Sequence, residues 1–361
     1  MLTPHDDRAA LEALRGRCTR FLNGHGQRRP ADLLAAIPGD TEADRYGEGG
    51  AVADLEAEVA ALLGKPAAVF VPTGTMAQQA TLRVHADRRG RRSVVWHPAC
   101  HLDWREGRGY QRLHGLVGTP AGEIRTPLTP AALAGVAEPP AALLIELPQR
   151  DLGGVLPAWD ELETMTAWAR ERGAAAHLDG ARLWEAAAGY GRSEAEIAAL
   201  FDTVYVSLYK GIGAIAGCCV AGPADVVAEV SEWRTRHGGR AFALWPYAAS
   251  GLAELARRRP RMPGYLTHAR AVAAAVAEVD GVTVLPSPPQ TSMMHLQLGA
   301  TPSDLRRRAA ALAEEQGVWT WPEPFAVDGP ASLRVELSVG DATLGFAPAE
   351  VATLLRRLVT D

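Results

Sequence analysis

The sequence predicts an α/β fold in which a mostly parallel central sheet is followed by a smaller α+β domain. Three observations support this prediction. The chain has 361 residues, 47% of them hydrophobic, so it can bury a large core. Up to about residue 248, apolar segments of strand length alternate with helical patterns. The strand segments are apolar throughout, which is typical of parallel sheets covered by helices on both faces.

The individual elements can be placed along the chain from their composition. Strands are predicted at 67–72, 92–98, 141–148, within 174–182 (stopping at Asp179-Gly180), 203–211 and 216–223. Helices are predicted at 54–65, 73–88 and 160–173, where apolar residues recur at helical spacing. The order of elements changes near residue 248. We therefore predict an N-terminal segment (1–45), a large domain (46–247) and a small C-terminal domain (248–361).

Charge and cysteine content restrict the class of protein. The net charge of −5 gives no electrostatic reason to expect nucleic acid or an anionic membrane as a partner. The four cysteines have no metal-binding spacing and are typical of reduced, buried thiols in a cytoplasm. The N-terminus lacks the apolar core of a secretory signal, and no uncharged apolar run reaches 18 residues. We therefore expect a cytoplasmic protein without a metal site.

Polar residues recur where the predicted strands end. They fall at 73–75, 97–101, 146–150, 179–182 and 207–210. The carboxyl ends of parallel strands meet at one edge of the sheet, where ligands bind in such folds. The sequence therefore predicts a binding site at this edge.

Two charged residues stand out in these segments. Lys210 lies among apolar residues in "SLYKGIGAIAG", where desolvation would favour the neutral, nucleophilic amine. The alternative is a lysine that extends its ammonium group to solvent. Asp179 ends an apolar strand, where a carboxylate is costly unless it meets a cation or hydrogen-bond donors. Its alternative role is the N-cap of the following helix.

Two further features complete a cofactor-binding pattern. Gly74 and Thr75 lie at a strand-to-helix turn, where backbone N–H groups and a hydroxyl can bind phosphate. His101 follows the next strand and offers a ring to lie against a flat cofactor. A phosphate turn, a ring, a buried carboxylate and a lysine, in this order, are what pyridoxal phosphate (PLP) requires. The carboxylate keeps the pyridine nitrogen protonated, so that the ring accepts electrons from Cα.

Three segments carry a resemblance to a known family. They are "DRYGEGGAVADLEAEVAALLGKPAAVFVPTGTMAQQ", "HLDGARLWEAA" and "SLYKGIGAIAGCCVAGP". Together they resemble the low-specificity threonine aldolase and β-eliminating lyase family, over about residues 44–250. The resemblance implies the PLP-dependent, aspartate-aminotransferase-like fold (fold type I). It also implies an amino acid substrate and a homodimer or dimer-based tetramer.

The resemblance implies roles for individual residues. Lys210 resembles the lysine of the internal aldimine, and Asp179 the partner of the pyridine nitrogen. Arg182 resembles the arginine beside the cofactor oxygen and the substrate carboxylate, and Arg334 the small-domain arginine that grips this carboxylate. The further cofactor-binding candidates are Gly74, Thr75, His101 (a stacking ring and a proposed base), Ser207, and Arg234, which in the family reaches the phosphate from a neighbouring subunit.

The sequence departs from the family pattern at three places. The family's N-terminal "RSDT" segment has no clean equivalent, and "YGEDP" is "YGEGG" here. The family's "ENTH" is "ELPQ" (146–149), so Gln149 replaces a histidine and Arg150 follows it. Glutamine can hydrogen-bond but cannot titrate near neutral pH. We predict that both residues contact the substrate, and that the fixed charge of Arg150 suits an acidic or polar side chain. A surface-loop arginine is the alternative.

The expected reaction is PLP-dependent retro-aldol cleavage of a β-hydroxy-α-amino acid to glycine and an aldehyde. Its predicted catalytic residues are Lys210, His101 and Asp179, with His101 or a bound water as the base for the β-hydroxyl proton. β-Elimination, transaldol exchange and racemisation use the same electron sink and remain alternatives. A PLP-binding protein without catalytic activity is less consistent with the intact lysine, aspartate and arginines.

Overall fold

A computed structural model describes the backbone of residues 4–360 and the side chains of residues 9–360. The chain forms two compact units. The larger unit consists of Arg29–Asp151 and Val155–Arg261. The smaller unit contains, within the described residues, 4–28, Leu152–Gly154 and 262–360.

The strands lie close to the predicted segments. Those of the described residues are β1 (Arg20–Phe21), β2 (Ala67–Val71), β3 (Ser93–Trp96), β4 (Val117–Pro120), β5 (Ala142–Glu146), β6 (Ala175–Gly180), β7 (Thr203–Ser207), β8 (Cys218–Gly222), β9 (Val282–Leu285), β10 (Met293–Leu298), β11 (Val318–Trp319), β12 (Ala326–Gly329) and β13 (Ser332–Ser338).

Helices occupy most of the segments between the strands. They are α1 (Pro4–Arg17), α2 (Pro30–Ala35), α3 (Gly50–Leu62), α4 (Gly74–Arg89), α5 (His101–Arg105), α6 (Gly109–Arg112), α7 (Pro130–Ala134), α8 (Trp159–Glu171), α9 (Leu183–Tyr190), α10 (Glu194–Ala198), α11 (Ala224–Arg236), α12 (Trp245–Arg258), α13 (Met262–Val276), α14 (Pro302–Gln316) and α15 (Pro348–Val359). Short 3₁₀ helices span Arg150–Leu152, Arg259–Arg261 and Thr343–Gly345. In the described part of the chain, no helix has both the length and the apolar character needed to cross a membrane.

The larger unit is built on a seven-stranded sheet in the order β2-β8-β7-β6-β5-β3-β4. All neighbouring strands are parallel except at β8, which is antiparallel to both β2 and β7. β6, β7 and β8 are buried along their whole length, as expected for strands covered on both faces. The predicted mostly parallel α/β fold is therefore confirmed.

The smaller unit has its own antiparallel sheet, in the order β12-β13-β10-β9. β1 pairs in parallel with β11, and an apolar cluster joins Leu14 and Cys18 to Ala313 of α14. These contacts explain why residues 4–28 belong with the C-terminal part of the chain.

The unit boundaries differ from the predicted domains at both ends. The predicted segment 1–45 is divided between the units after Arg28, and its residues 1–3 lie outside the described part. The predicted boundary at residue 248 falls inside α12, which belongs to the larger unit. A Cβ on Gly251 of α12 would lie within 3.4 Å of Leu55 and Leu208, so this helix packs closely on the large core.

The register of the large sheet places polar residues at its carboxyl edge. Glu146 of β5 lies opposite Asp179 of β6, and Asp179 lies opposite Tyr205 of β7. Residues in register on parallel strands point to the same face. Two carboxyl groups and a phenol therefore form one row near the ends of three adjacent strands.

Candidate active site

Lys210 lies in an irregular turn between two central strands. β7 ends at Ser207 rather than at the predicted residue 211, so Lys210 follows the strand instead of lying in it. The turn continues to Cys218, where β8 begins. Lys210 Nζ lies 6.0 Å from the centroid of the Tyr209 ring, and Leu208 and Ile212 on either side are buried. These buried neighbours anchor the turn. Because the turn follows the carboxyl end of β7, the amine lies near this edge of the sheet.

Four charged side chains act on the Lys210 amine. Burial lowers the pKa of Lys210, and Asp179 opposes this shift. Arg182 and Arg150 lower the pKa further, whereas Glu146 raises it. The structure therefore brings all four groups within electrostatic reach of the lysine, and burial favours the neutral amine.

Asp179 is buried at the end of β6. Its Oδ1 accepts a hydrogen bond from the backbone N–H of Ala181 at 3.1 Å. The following helix, α9, begins at Leu183 with Arg182 at the N-cap, so the alternative role of Asp179 as a helix cap is wrong. Burial raises the pKa of Asp179, whereas Lys210 and His101 lower it. Burial outweighs these charges, so a further cation at this place, such as a protonated ring nitrogen, would stabilise the carboxylate.

The turn between β2 and α4 has the geometry of an anion site. Thr73 is the N-cap of α4, and its hydroxyl accepts a hydrogen bond from Met76 N at 3.3 Å. The first N–H groups of a helix, here those of Gly74 and Thr75, have no intrahelical acceptor. A Cβ at position 74 would collide with Tyr205 Oη, so only glycine allows the phenol to approach this turn. Ser207, the last residue of β7, is also buried. Its hydroxyl oxygen makes no hydrogen bond of standard geometry among the described residues.

His101 begins α5 and contacts a buried carboxylate. Its Nδ1 lies 3.0 Å from Glu106 Oε1. Its positive charge would lower the pKa of Asp179, so the two residues are within electrostatic reach of one another. The structure therefore places His101 near the other predicted site residues of the larger unit.

Gln149 is buried and its amide faces Glu146. Gln149 Nε2 donates to Glu146 Oε2 at 3.0 Å and to the carbonyl of Ala99 at 3.5 Å. The backbone N–H of Arg150 donates to Glu146 Oε1 at 3.2 Å. Burial, followed by the charge of Asp179, raises the pKa of Glu146 to about 8. The glutamine thus supports a second buried acid beside Asp179, and its contact with substrate stays a prediction.

The two remaining predicted arginines have protein partners. Arg234 is buried, and its Nη1 donates to the carbonyl of Phe70 at 2.8 Å and Nη2 to Ser231 at 3.2 Å. Arg334 lies on β13 of the smaller unit and forms a two-point contact with Asp328, at 2.6 and 3.1 Å. The expected contacts of Arg234 with a neighbouring subunit's phosphate and of Arg334 with the substrate stay predictions.

Two acidic residues of this region carry no role in the sequence prediction. Glu146 ends an apolar strand in the same way as Asp179, so composition alone could have identified it. Glu106 lies in a charged segment that looks solvent-exposed in the sequence, and only the fold shows that its side chain is 3% exposed. In the part of the chain that the structure describes, no group of three or more His, Cys, Asp or Glu side chains is arranged to hold a metal ion.

The fold and the comparisons with known proteins define the class of this chain. It is an enzyme of the PLP-dependent fold type I class, since a solved structure of that class superposes on nearly all of it. The chain belongs to the beta-eliminating lyase family, which it matches over residues 29–299. The family resemblance predicted from the sequence is therefore confirmed.

Several relatives are described as threonine aldolases. The superposed structure is a candidate L-allo-threonine aldolase from Listeria monocytogenes EGD-E, with a TM-score of 0.90 and 37% identity, covering 97% of this chain and 98% of the other. Aldolase vrtJ of Penicillium aethiopicum is 33% identical and covers 79% of this chain and 76% of its own. The low specificity L-threonine aldolase of Escherichia coli K12 is 30% identical, covering 78% and 82%.

Proposed function

We propose that this protein cleaves the Cα–Cβ bond of a β-hydroxy-α-amino acid with the help of PLP, releasing glycine and an aldehyde. The observation that carries the proposal is the convergence of half-buried Lys210 with buried Asp179 at the carboxyl edge of the large sheet. Relatives named as threonine aldolases support the choice of reaction. We also propose that the chain assembles as a homodimer or a dimer-based tetramer.

The residues at this edge fit PLP. The N–H groups of Gly74 and Thr75 and the hydroxyl of Ser207 would bind the phosphate. Lys210 would hold the cofactor covalently, and Asp179 would pair with the protonated pyridine nitrogen. When bound, PLP supplies an electron sink for the electron pair of a broken Cα bond.

The chain's own residues supply binding and proton transfer. Burial favours the neutral amine of Lys210, which makes it a nucleophile without a separate base. The guanidinium groups of Arg182 and Arg334 would bind the substrate carboxylate, for which Arg334 would exchange its contacts with Asp328. His101 would face the cofactor and exchange a proton at its free ring nitrogen.

The lysine assignment has a direct test because the chain contains two lysines, Lys65 and Lys210. We expect purified protein to show a visible absorption band with PLP, and borohydride reduction to fix the cofactor on one peptide. Lys210→Ala should abolish the band and the labelled peptide. Lys65→Arg is the matched control, since Lys65 Nζ donates to the carbonyl of Phe201 in another part of the larger unit. The absence of a band from the unmodified protein with added PLP would refute the proposal.

The reaction type is tested by the products. Threonine, phenylserine and β-hydroxyaspartate should release an aldehyde and glycine in equal amounts. Serine and cysteine should release far less keto acid. Keto acid as the main product, without aldehyde, would show that the reaction is β-elimination rather than aldol cleavage. The PLP assignment would still hold.

A further inference from the structure

Glu106 is a buried carboxylate close to the candidate active site. Each of its oxygens has its own partner: Oε1 lies 3.0 Å from His101 Nδ1, and Oε2 accepts from Gln79 Nε2 at 3.1 Å. The side chain is 3% exposed. Burying a carboxylate costs free energy unless hydrogen-bond donors or cations compensate it. We therefore expect these two contacts to fix the position of the Glu106 side chain.

Residues of α4 and α5 hold this carboxylate, and the start of α6 holds the backbone of Glu106. Gln79 is buried on α4, the helix that begins with the Gly74–Thr75 turn. The backbone N–H of Gly109, at the start of α6, donates to the carbonyl of Glu106 at 3.1 Å. A Cβ on Gly109 would lie 2.6 Å from the Gln79 amide, so glycine is needed for Gln79 to reach Glu106. Glu106 thus links the predicted phosphate-binding helix to the helix that carries His101.

A carboxylate at Nδ1 has a defined effect on an imidazole. It accepts a hydrogen bond from Nδ1–H and so keeps the proton on Nδ1, which leaves the lone pair of the neutral ring at Nε2. Among the described residues, Nε2 of His101 has no hydrogen-bond partner in the structure, and about 30% of the side chain is exposed. His101 is therefore oriented by one nitrogen and open to a ligand at the other.

We propose that Glu106, held by Gln79, is a positioning residue that keeps His101 as the Nδ1–H tautomer, so that Nε2 accepts the β-hydroxyl proton of the substrate. This inference rests on the proposed function. In the proposed step the O–H bond breaks and an Nε2–H bond forms. The oxygen electron pair becomes the second bond of the aldehyde carbonyl as the Cα–Cβ bond breaks. Cα keeps that bond's electron pair and takes up a proton, giving glycine.

This arrangement accounts for the missing histidine of the "ELPQ" segment. Gln149 has no titratable group, and its amide protons are directed to Glu146 and Ala99. Among the described residues at the carboxyl edge, His101 combines a ring nitrogen without a hydrogen-bond partner and a carboxylate that orients the ring. A second histidine is therefore not required for the proton transfer.

The test compares Glu106→Gln with Asp103→Asn in the PLP-loaded enzyme. Asp103 is on α5, the helix that Glu106 follows, but its carboxylate accepts from Tyr110 Oη at 2.8 Å and lies near Arg108. The ring tautomer is read from two-bond nitrogen–proton correlations of ¹⁵N-labelled histidine, with His101 assigned by loss of its signal in His101→Asn. We expect an Nδ1–H ring in the unmodified protein and in Asp103→Asn. Glu106→Gln should move the ring towards the Nε2–H form.

Kinetics of aldehyde release complete the test. Glu106→Gln should lower kcat by about 10- to 100-fold with KM within about threefold, and Glu106→Asp should recover part of the loss because it keeps the charge. An unchanged tautomer and an unchanged kcat in Glu106→Gln would overturn the inference, while aldehyde release by the unmodified enzyme would still support the proposed function. If Glu106→Gln fails to fold, the Nδ1–H signal of the unmodified protein decides: an Nε2–H ring there refutes the positioning role.

Discussion

Arg150 brings a permanent positive charge to the place where the family carries the residue after its histidine motif. Its positive charge lowers the pKa of Lys210, so the guanidinium group is within electrostatic reach of the amine. Its backbone N–H is fixed on Glu146 at 3.2 Å, so the start of the 3₁₀ helix Arg150–Leu152 is tied to the end of β5. The role of the Arg150 side chain at the site stays a prediction, with a surface-loop arginine as the alternative.

The side-chain preference of the enzyme tests this role. Arg150→Ala should lower kcat/KM for β-hydroxyaspartate relative to threonine by about tenfold, since a cation that faces a substrate carboxylate contributes about 1–2 kcal/mol at a partly exposed site. Arg150→Lys keeps the charge and should retain most of the preference. An unchanged ratio of the two kcat/KM values in Arg150→Ala would show that this arginine does not face the substrate side chain.

Among elements, the turn that carries Lys210 depends on a close contact with α9. A Cβ on Gly211 would overlap the carboxylate of Glu185, which is buried on α9. Glu185 Oε1 lies 4.0 Å from Arg182 Nε, while its Oε2 has no hydrogen-bond partner among the described residues. The turn therefore packs against α9 at Gly211, next to Lys210, and we expect this contact to help fix the position of the lysine.

A pair of substitutions tests this packing. Gly211→Ala should weaken PLP uptake and lower the free energy of unfolding by about 1–3 kcal/mol, because the new methyl group must displace a buried carboxylate. Adding Glu185→Ala makes room for the methyl group and should recover much of the loss in both measurements. Gly135→Ala is the control, since a Cβ there meets no atom closer than 3.8 Å. Equal losses in the single and the double variant would show that the contact does not control the turn.

The elements also show how far the sequence predicts this fold and site. The central strands were predictable because a parallel sheet covered on both faces leaves continuous apolar runs, and "AALLIELP" contains β5 in full. The sequence predicts the end of β7 at residue 211, whereas the strand ends at Ser207. The reason is that Leu208 is buried like a strand residue but does not pair with a neighbouring strand. The hydrogen bond between Gln149 and Glu146 is not predictable from composition, since it depends on how the chain turns after β5. α12 likewise belongs to the larger unit through packing that composition does not reveal.

For the whole molecule, the acids at the sheet edge make stability depend on pH. Burial raises the pKa of both Glu146 and Asp179, which lie opposite each other on adjacent strands. A carboxyl group whose pKa is raised on folding binds its proton more tightly in the folded state. Its stabilising contribution is complete below its unfolded pKa and is lost as the pH rises through its folded pKa.

For Glu146 this loss falls between its ordinary pKa of 4.5 and its folded value of about 8. Buried histidines act in the opposite direction: burial lowers the pKa of His177 to about 3, so its contribution is lost as the pH falls below 6.5. The observed stability curve is the sum of these effects. A difference in the free energy of unfolding between matched variants is therefore needed to isolate the contribution of Glu146.

Glu146→Gln supplies that difference, because the amide stays neutral at every pH. We expect the free energy of unfolding of the PLP-free protein, relative to this variant, to fall by about 4 kcal/mol between pH 5 and pH 8.5. Urea unfolding at a fixed protein concentration across this range measures the effect. Glu163→Gln, at an exposed position on α8, is the control and should follow the unmodified protein. Parallel curves for the unmodified protein and Glu146→Gln would mean that Glu146 is already ionised at pH 5, and that Asp179 does not share the sheet edge with a protonated neighbour.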